Sequence, residues 1–181
     1  MEYEGEMKDV EDTVIAAKQE AGTPIVPLAS AQIESLLPLW GDYQRFYEVP
    51  ASRIDVAANR WLIDYILSHP DRGQIFLVYC AGEIQGFATI YYSFSSTAAA
   101  ALGTINDLYV TPHWRGRGLG RALLDHCITF LHDSGVEIVE WATRPGNRRA
   151  QRLYDHYATA DPWLTYRVTR TDGAVHLRSN S

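Results

Sequence analysis

The sequence predicts an α/β fold built on a mixed β-sheet. Two β-rich runs, Gln74–Cys80 and Ile84–Tyr92, are joined by the tight turn Ala81-Gly82-Glu83 and predict an antiparallel hairpin. Residues 104–143 then follow the order strand, helix, strand, and such a crossover places its two strands parallel. A sheet that contains both kinds of pair is mixed.

Length and composition limit the classes of protein. The chain is 46% hydrophobic, which is enough for a core, and residues 23–181 are expected to form one domain. The acidic residues 1–22 are expected to be a mobile leader. The net charge of −6 argues against a nucleic-acid partner. No run of about 18 apolar residues occurs, and the acidic start is unlike a signal peptide, so we expect a cytoplasmic protein without a membrane partner.

The first elements can be read in chain order. Residues 23–28 form an apolar run interrupted by two prolines, which favours an edge strand. Ser30 is the expected N-cap of a helix that continues to Trp40. Asp55 is the expected N-cap of a second helix, which stops before Pro70.

Four aromatic residues occur within residues 40–47, at a predicted junction between helices, where they either pack in the core or form the rim of an acceptor pocket.

After the hairpin, the small residues of 93–103 predict a loop or a short irregular strand end. Thr104–Val110 continues the sheet, and Gly118–Asp133 has the apolar periodicity of an amphipathic helix that ends at Gly135.

The last elements complete the crossover. Residues 136–143 predict a strand, and residues 147–157 predict a helix for which Asn147 is the N-cap. Residues 162–170 and 174–177 alternate in character around Asp172-Gly173 and predict a closing hairpin.

A glycine-rich turn connects the strand at 104–110 to the following helix. Its glycines let backbone N–H groups approach an anion, and the helix adds the positive end of its dipole. Three arginines add charge, so we expect an anionic ligand that carries a diphosphate. The residues of this turn are Arg115, Gly116, Arg117, Gly118, Leu119, Gly120 and Arg121.

Other kinds of phosphate or metal site fit less well. A P-loop ends in G-K-[ST], whereas this turn ends in Gly120-Arg121-Ala122, and a dinucleotide fingerprint needs glycine at position 121. The two cysteines, Cys80 and Cys127, and the six histidines show no metal-ligand spacing. Catalysis is therefore expected to need no metal.

The run L-Y-V-T-P-H-W-R-G-R-G-L-G-R-A-L-L resembles the acetyl-CoA motif of the GNAT superfamily of N-acetyltransferases, [QR]-x-x-G-x-[GA], which is filled by Arg115, Gly118 and Gly120. The run N-R-R-A-Q-R-L-Y resembles a later helix of that family and places Asn147 seven residues before Tyr154. The resemblance implies a twisted mixed sheet with helices on both faces and two central parallel strands that splay apart to admit the cofactor.

The resemblance also implies roles for individual residues. The backbone of Leu108, Tyr109 and Val110 would pair with the pantetheine arm of acetyl-CoA, and the Val110 N–H would polarise the thioester carbonyl. The amides of residues 116–121 would hold the pyrophosphate. Asn147 would hydrogen-bond the pantetheine or fix its loop; alternatively it only caps its helix.

The expected reaction needs groups that move protons. A primary amine has a pKa of about 10.4, so it must lose a proton before it attacks a carbonyl carbon. Asp107 is the first candidate for the base or amine anchor, with Glu140 or a chain of water molecules as alternatives. The resemblance assigns the proton donor to Tyr154, whose alternative role is packing. The pair Asn106-Asp107 lies where spermidine/spermine acetyltransferases carry two acids, and Asn106 breaks that match.

The sequence thus predicts an acetyl-CoA-dependent N-acetyltransferase that acts directly on a primary amine of a small, cationic molecule, polyamine-like or aminoglycoside-like. Acetylation of a protein lysine or N-terminus is the alternative within the enzyme class. A non-catalytic acyl-CoA sensor is the alternative outside it. Homodimers are common in the resembled family, so the resemblance implies a homodimer as one expected state, although no motif in this chain supports it.

Overall fold

The computed structural model of the chain describes residues 23–162 and contains two compact units. The first unit ends at Ala142 and the second begins at Thr143. The predicted leader, residues 1–22, and the predicted closing hairpin, which follows Pro162, lie outside the described residues.

The first unit contains a five-stranded sheet whose strands lie side by side in chain order. The first four strands pair antiparallel, and the last pair is parallel because a helix connects its two strands. The predicted mixed sheet is confirmed. The strands are β1 (Ile25–Pro27), β2 (Gly73–Cys80), β3 (Glu83–Ser95), β4 (Ala100–Val110) and β5 (Ile138–Trp141).

Helices cover both faces of this sheet, as expected. Helices α1 (Ile33–Phe46) and α2 (Val56–Ser68) pack on one face, where the Trp40 ring stacks on Phe87 at 5.1 Å between centroids. Helix α3 (Leu119–Asp133) lies on the other face, where Phe130 meets Phe76 at 4.9 Å. None of the helices within residues 23–162 is long and apolar enough to cross a membrane.

Several local predictions are confirmed. The hairpin of β2 and β3 forms with Ala81 and Gly82 in its turn, and β1 lies at the edge of the sheet. The Asp55 carboxylate caps α2 by accepting the Ala57 and Ala58 N–H groups at 2.8 and 3.2 Å. Gly135, with φ +82°, follows α3 as the expected helix stop.

The predicted start of the first helix is wrong. Ser30 lies inside a 3-10 turn, Ser30–Gln32, and makes no side-chain cap. The Gln32 side chain instead folds back to accept the Ala29 N–H at 2.7 Å, so α1 begins only at Ile33. It then continues to Phe46, through most of the segment predicted to be a junction between helices.

The prediction of a loop or short strand end over residues 93–103 is also wrong. Strand β3 runs to Ser95 and β4 begins at Ala100, with a tight turn between them. Cross-strand pairing, such as Ser93 opposite Leu102, makes strands of residues whose own β preference is weak. Conversely, β5 has only four residues, fewer than the predicted 136–143.

Candidate functional site

The two parallel strands of the sheet separate partway along their length. Their pairing runs from Leu102 opposite Ile138 to Ile105 opposite Trp141 and stops there, whereas β4 continues to Val110. Within residues 23–162 no other strand pairs with this side of β4 beyond Ile105. The resulting opening is the splay that the family resemblance implies.

The backbone of β4 has free positions along this opening. The Thr111 N–H donates to the Gln85 carbonyl at 2.9 Å, and Val110 lies opposite Gly86. In an antiparallel pair, consecutive residues alternate between bonding the neighbouring strand and pointing away from it. The N–H and C=O groups of Leu108 and Val110 therefore point away from β3, into the opening, whereas those of Tyr109 bond β3. An extended ligand can pair with such an edge.

A β-bulge at Asn106 changes which face each side chain of β4 occupies. Asp107 lies opposite Thr89, and Ile105 lies opposite Ile90, which leaves Asn106 without an opposite residue. One extra residue in a strand shifts the alternation of its side chains between the two faces.

The faces on either side of the bulge follow from the packing. A Cβ at Gly103 would meet a side chain of α3, so Ile105, two residues further on, faces α3. Phe87 packs against α1, so Thr89, two residues further on, faces α1, and so does Asp107 opposite it. The bulge therefore turns Asp107 onto the face covered by α1 and α2.

The two candidate bases have different surroundings. Asp107 is 6% exposed, and its Oδ2 atom accepts a hydrogen bond from the hydroxyl of Thr89. Burial raises the pKa of the nearby Tyr91 phenol, and the charge of Asp107 raises it further, while a hydrogen bond with Thr89 opposes part of the rise. Glu140 lies exposed on β5 and accepts a 3.2 Å hydrogen bond from the Thr104 hydroxyl.

The glycine turn has the backbone that an anion site needs. Gly116 and Gly118 have φ of +85° and +84°, a region that favours glycine. Gly118 is the N-cap of α3 and makes no side-chain cap, and a Cβ there would face open space. The Leu119 and Gly120 N–H groups lie in the first turn of the helix, where no intrahelical acceptor exists. Together with the helix dipole they suit a diphosphate.

The arginines of the turn contact protein groups. Arg115 donates from Nε to the Val110 carbonyl at 2.8 Å, and its guanidinium lies over the rings of Phe46 and Tyr109, 5.0 and 5.5 Å from their centroids. The Arg117 guanidinium lies 4.8 Å from the Trp114 ring centroid. Arg121 is exposed. The Arg115 side chain thus fastens the turn to the end of β4.

The aromatic residues of segment 40–47 are predicted either to pack in the core or to form the rim of a pocket, and the structure shows members of both kinds. Trp40 is buried, and Tyr43 meets the rings of Phe87 and Tyr109 edge-on at 5.7 and 6.0 Å. These contacts are core packing. Phe46 is 46% exposed and lies beside Arg115, so it is the member of this segment that can contact a ligand near the turn.

The second unit contains the other two predicted site residues. Asn147 caps helix α4 (Arg148–Tyr154): its side-chain oxygen accepts the Ala150 N–H at 3.2 Å, and its amide group donates to the Thr143 hydroxyl at 3.1 Å. The capping prediction is confirmed, although the helix stops before the predicted residue 157. Tyr154 is the last residue of this helix.

Sequence reasoning missed Thr89, which lies opposite Asp107 and is fully buried. The available signal was one threonine within the apolar run of residues 87–90, and nothing in the sequence linked it to a residue 18 positions later. For the metal prediction, no group of three or more His, Cys, Asp or Glu side chains within residues 23–162 could hold an ion.

Comparison with known proteins gives a family match. The family model described as "Acetyltransferase (GNAT) family" matches residues 36–158. An uncharacterized N-acetyltransferase of Bacillus subtilis is 31% identical over 121 residues, which are 67% of this chain and 78% of that protein. The thialysine N-epsilon-acetyltransferase of Caenorhabditis elegans is 31% identical over 105 residues, 55% of this chain and 63% of that protein.

Solved structures give the same fold. A crystal structure of a probable acetyltransferase superposes with a TM-score of 0.71 at 22% identity and covers 82% of this chain and 99% of that chain. At this level of identity the likeness establishes the arrangement of strands and helices alone.

Proposed function

Because the chain belongs to the GNAT family of acetyltransferases, we propose that it transfers the acetyl group of acetyl-CoA directly to a primary amine of a small, cationic molecule. The observation that carries this proposal is the open edge of β4, which is followed, after the 3-10 turn Pro112–Trp114, by the glycine turn before α3. A linear arm that ends in a diphosphate matches an extended strand edge followed by an anion site.

The residues of the first unit can divide the work of binding acetyl-CoA. The outward N–H and C=O groups of Leu108 would pair with the pantetheine arm, and the amides of residues 116–121 would hold the diphosphate. Acetyl-CoA supplies an acetyl thioester. The Val110 carbonyl already accepts a hydrogen bond from Arg115. The Val110 N–H is the group that would polarise the thioester carbonyl.

The acceptor amine needs an anchor and a base. We assign both to Asp107, because a carboxylate that is only 6% exposed attracts an ammonium group more strongly than one in bulk water. Over the whole reaction a C–N bond replaces the C–S bond, and the ammonium nitrogen gives up two protons. One passes to Asp107 and then to solvent, and the other ends on the thiol of coenzyme A.

Two residues of the second unit have proposed roles. Tyr154 is assigned as the donor of the proton that the departing sulfur receives; the support is the resemblance of residues 147–154 to the family helix that carries the donor tyrosine. Asn147 is assigned to fixing the loop before α4, which its contacts with Thr143 and Ala150 support. The match to the spermidine/spermine branch stays a prediction. The nematode relative is named for acetylation at the ε nitrogen of thialysine.

The test is an assay of thiol release with acetyl-CoA and a panel of acceptors. The panel contains polyamines, aminoglycosides, lysine-like amines and peptides with a free lysine or N-terminus. We expect thiol release with a small cationic amine. Release with peptides alone would favour protein acetylation, and calorimetric binding of acetyl-CoA without release in any sample would favour a sensor.

A further inference from the structure

We propose that Thr89 is the positioning residue for the acceptor amine: its hydroxyl holds one oxygen of the Asp107 carboxylate, so that the other oxygen receives the ammonium group. This inference rests on the proposed function. It assigns a role to a residue of β3 that the family motifs do not include, and it predicts how the acceptor is oriented.

The two residues are held by the strands that carry them. Thr89 and Asp107 lie opposite each other on β3 and β4, where the Cβ atoms of paired residues are roughly 5 Å apart. Threonine is branched at Cβ and has a stiff χ1 angle, so the strand itself sets the direction of its hydroxyl. The bulge at Asn106 is what brings Asp107 onto this face.

The two carboxylate oxygens of Asp107 are not equivalent. Oδ2 accepts a hydrogen bond from the Thr89 hydroxyl. No donor from the described part of the chain reaches Oδ1. Within residues 23–162, His126 Nε2 is the one side-chain polar atom that is both fully enclosed and without a partner. Since Oδ1 also lacks a partner, it is not fully enclosed and keeps some contact with solvent. A reachable oxygen without a donor is where an ammonium group can bind.

Burial makes the hydroxyl difficult to replace. Thr89 is 0% exposed, so its hydroxyl is enclosed by protein and bulk water does not compete for its hydrogen bond to Asp107. The surroundings of the carboxylate favour a cationic ligand as well. Its hydrogen-bond donor, the Thr89 hydroxyl, is neutral, and the adjacent Tyr91 phenol has a raised pKa and stays neutral. A protonated amine completes the site, whereas a neutral acceptor does not.

The same arrangement specifies the proton acceptor. When a proton leaves the ammonium nitrogen, the N–H bond breaks and a new O–H bond forms at Oδ1, which converts Asp107 into the neutral acid. The hydrogen bond from Thr89 to Oδ2 is retained throughout. Without Thr89 the carboxyl group could rotate, and the nitrogen would then be released at a variable distance from the thioester carbon.

The experiment compares Thr89→Val, which replaces the hydroxyl with a methyl group of similar size, with Thr89→Ser, which keeps the hydroxyl. For Thr89→Val we expect kcat/KM for the amine to fall about 10- to 100-fold, as for loss of a hydrogen bond to a charged group, and calorimetric binding of the amine to weaken. Binding of coenzyme A should stay within about twofold. Thr89→Ser should restore most of kcat/KM.

A double variant gives a sharper measurement. If Thr89 acts through Asp107, then Asp107→Asn combined with Thr89→Val should be no less active than Asp107→Asn alone. Equal kcat/KM for wild type, Thr89→Val and Thr89→Ser would overturn the inference while the proposed function stands. A wild type that neither binds nor acetylates any amine would overturn both. If Thr89→Val unfolds at a much lower temperature than the wild type, Thr89→Ala replaces it as the variant without a hydroxyl and is compared with Thr89→Ser in the same way.

Discussion

The Nε atom of Arg115 donates a 2.8 Å hydrogen bond to the carbonyl oxygen of Val110, so the glycine turn is fastened to the strand that precedes it. The guanidinium that makes this bond also lies over the ring of Phe46 in α1. One side chain therefore joins the end of β4, the turn and the helix on the sheet face where Asp107 lies.

The first prediction concerns this arginine. Lysine has no planar group to lie over two rings and no Nε donor, so Arg115→Lys should loosen the turn. We expect the Kd for coenzyme A to rise about tenfold, as for loss of one hydrogen bond to a charged group. Calorimetry measures the affinity. The control is Arg72→Lys, which alters an exposed ion pair with Asp71; equal affinities of the two variants would contradict the role of Arg115.

The second prediction compares two glycines with nearly identical backbones. Gly118 and Gly135 have φ of +84° and +82°, and a Cβ at either would meet no atom within 4 Å. Alanine at each position should cost about 1–2 kcal/mol of unfolding free energy because of the left-handed backbone. Only Gly118→Ala should weaken binding of coenzyme A, because Gly135 follows the far end of α3. Equal effects of the two changes on affinity would argue against the turn as the diphosphate site.

The third prediction tests the proton donor. Tyr154→Phe removes the phenol proton and keeps the ring, so we expect kcat to fall about 100-fold or more while the Kd for acetyl-CoA stays within about twofold. Tyr157→Phe, a matched change just beyond the same helix, should leave kcat within about threefold of wild type, because Tyr157 is not assigned to proton transfer. Unchanged turnover in Tyr154→Phe would remove the residue from this role.

The fourth prediction uses the two cysteines. Burial raises the pKa of the Cys127 thiol to about 12, so at pH 8 it stays protonated and enclosed within α3 and the sheet. Cys80 is only partly buried. A disulfide reagent at pH 8 should therefore modify Cys80 alone in the folded protein and both thiols in denaturant. Rapid modification of Cys127 without unfolding would show that the packing around α3 is looser than described.

Much of the fold could be predicted because its signals are local. The Asp55 cap, the Ala81-Gly82 turn and the periodicity of α3 each lie within a few residues of the structure they specify. The glycine turn could be identified for the same reason. Its positive φ values at Gly116 and Gly118 are ones that few other residues adopt.

The remaining features depend on partners distant in the chain. The alanines at the start of β4 are a strand because β3 lies beside them, and a run of small residues gives no local sign of this pairing. The bulge at Asn106 depends on register, and register then decides that Asp107 meets Thr89. The sequence alone identifies Asp107 as a candidate carboxylate, whereas the Thr89 hydroxyl beside it is identified only from the pairing of β3 with β4.

The early end of pairing between β4 and β5 also bears on self-association. A sheet edge is ordinarily a hazard, because its unpaired amides invite a strand from another molecule. Here the open edge is the five-residue stretch Asn106–Val110, roughly 17 Å long at about 3.4 Å per residue, and it continues a strand whose first half is already paired on both sides. A linear arm that pairs with this stretch would occupy the amides that could otherwise take a strand from another molecule.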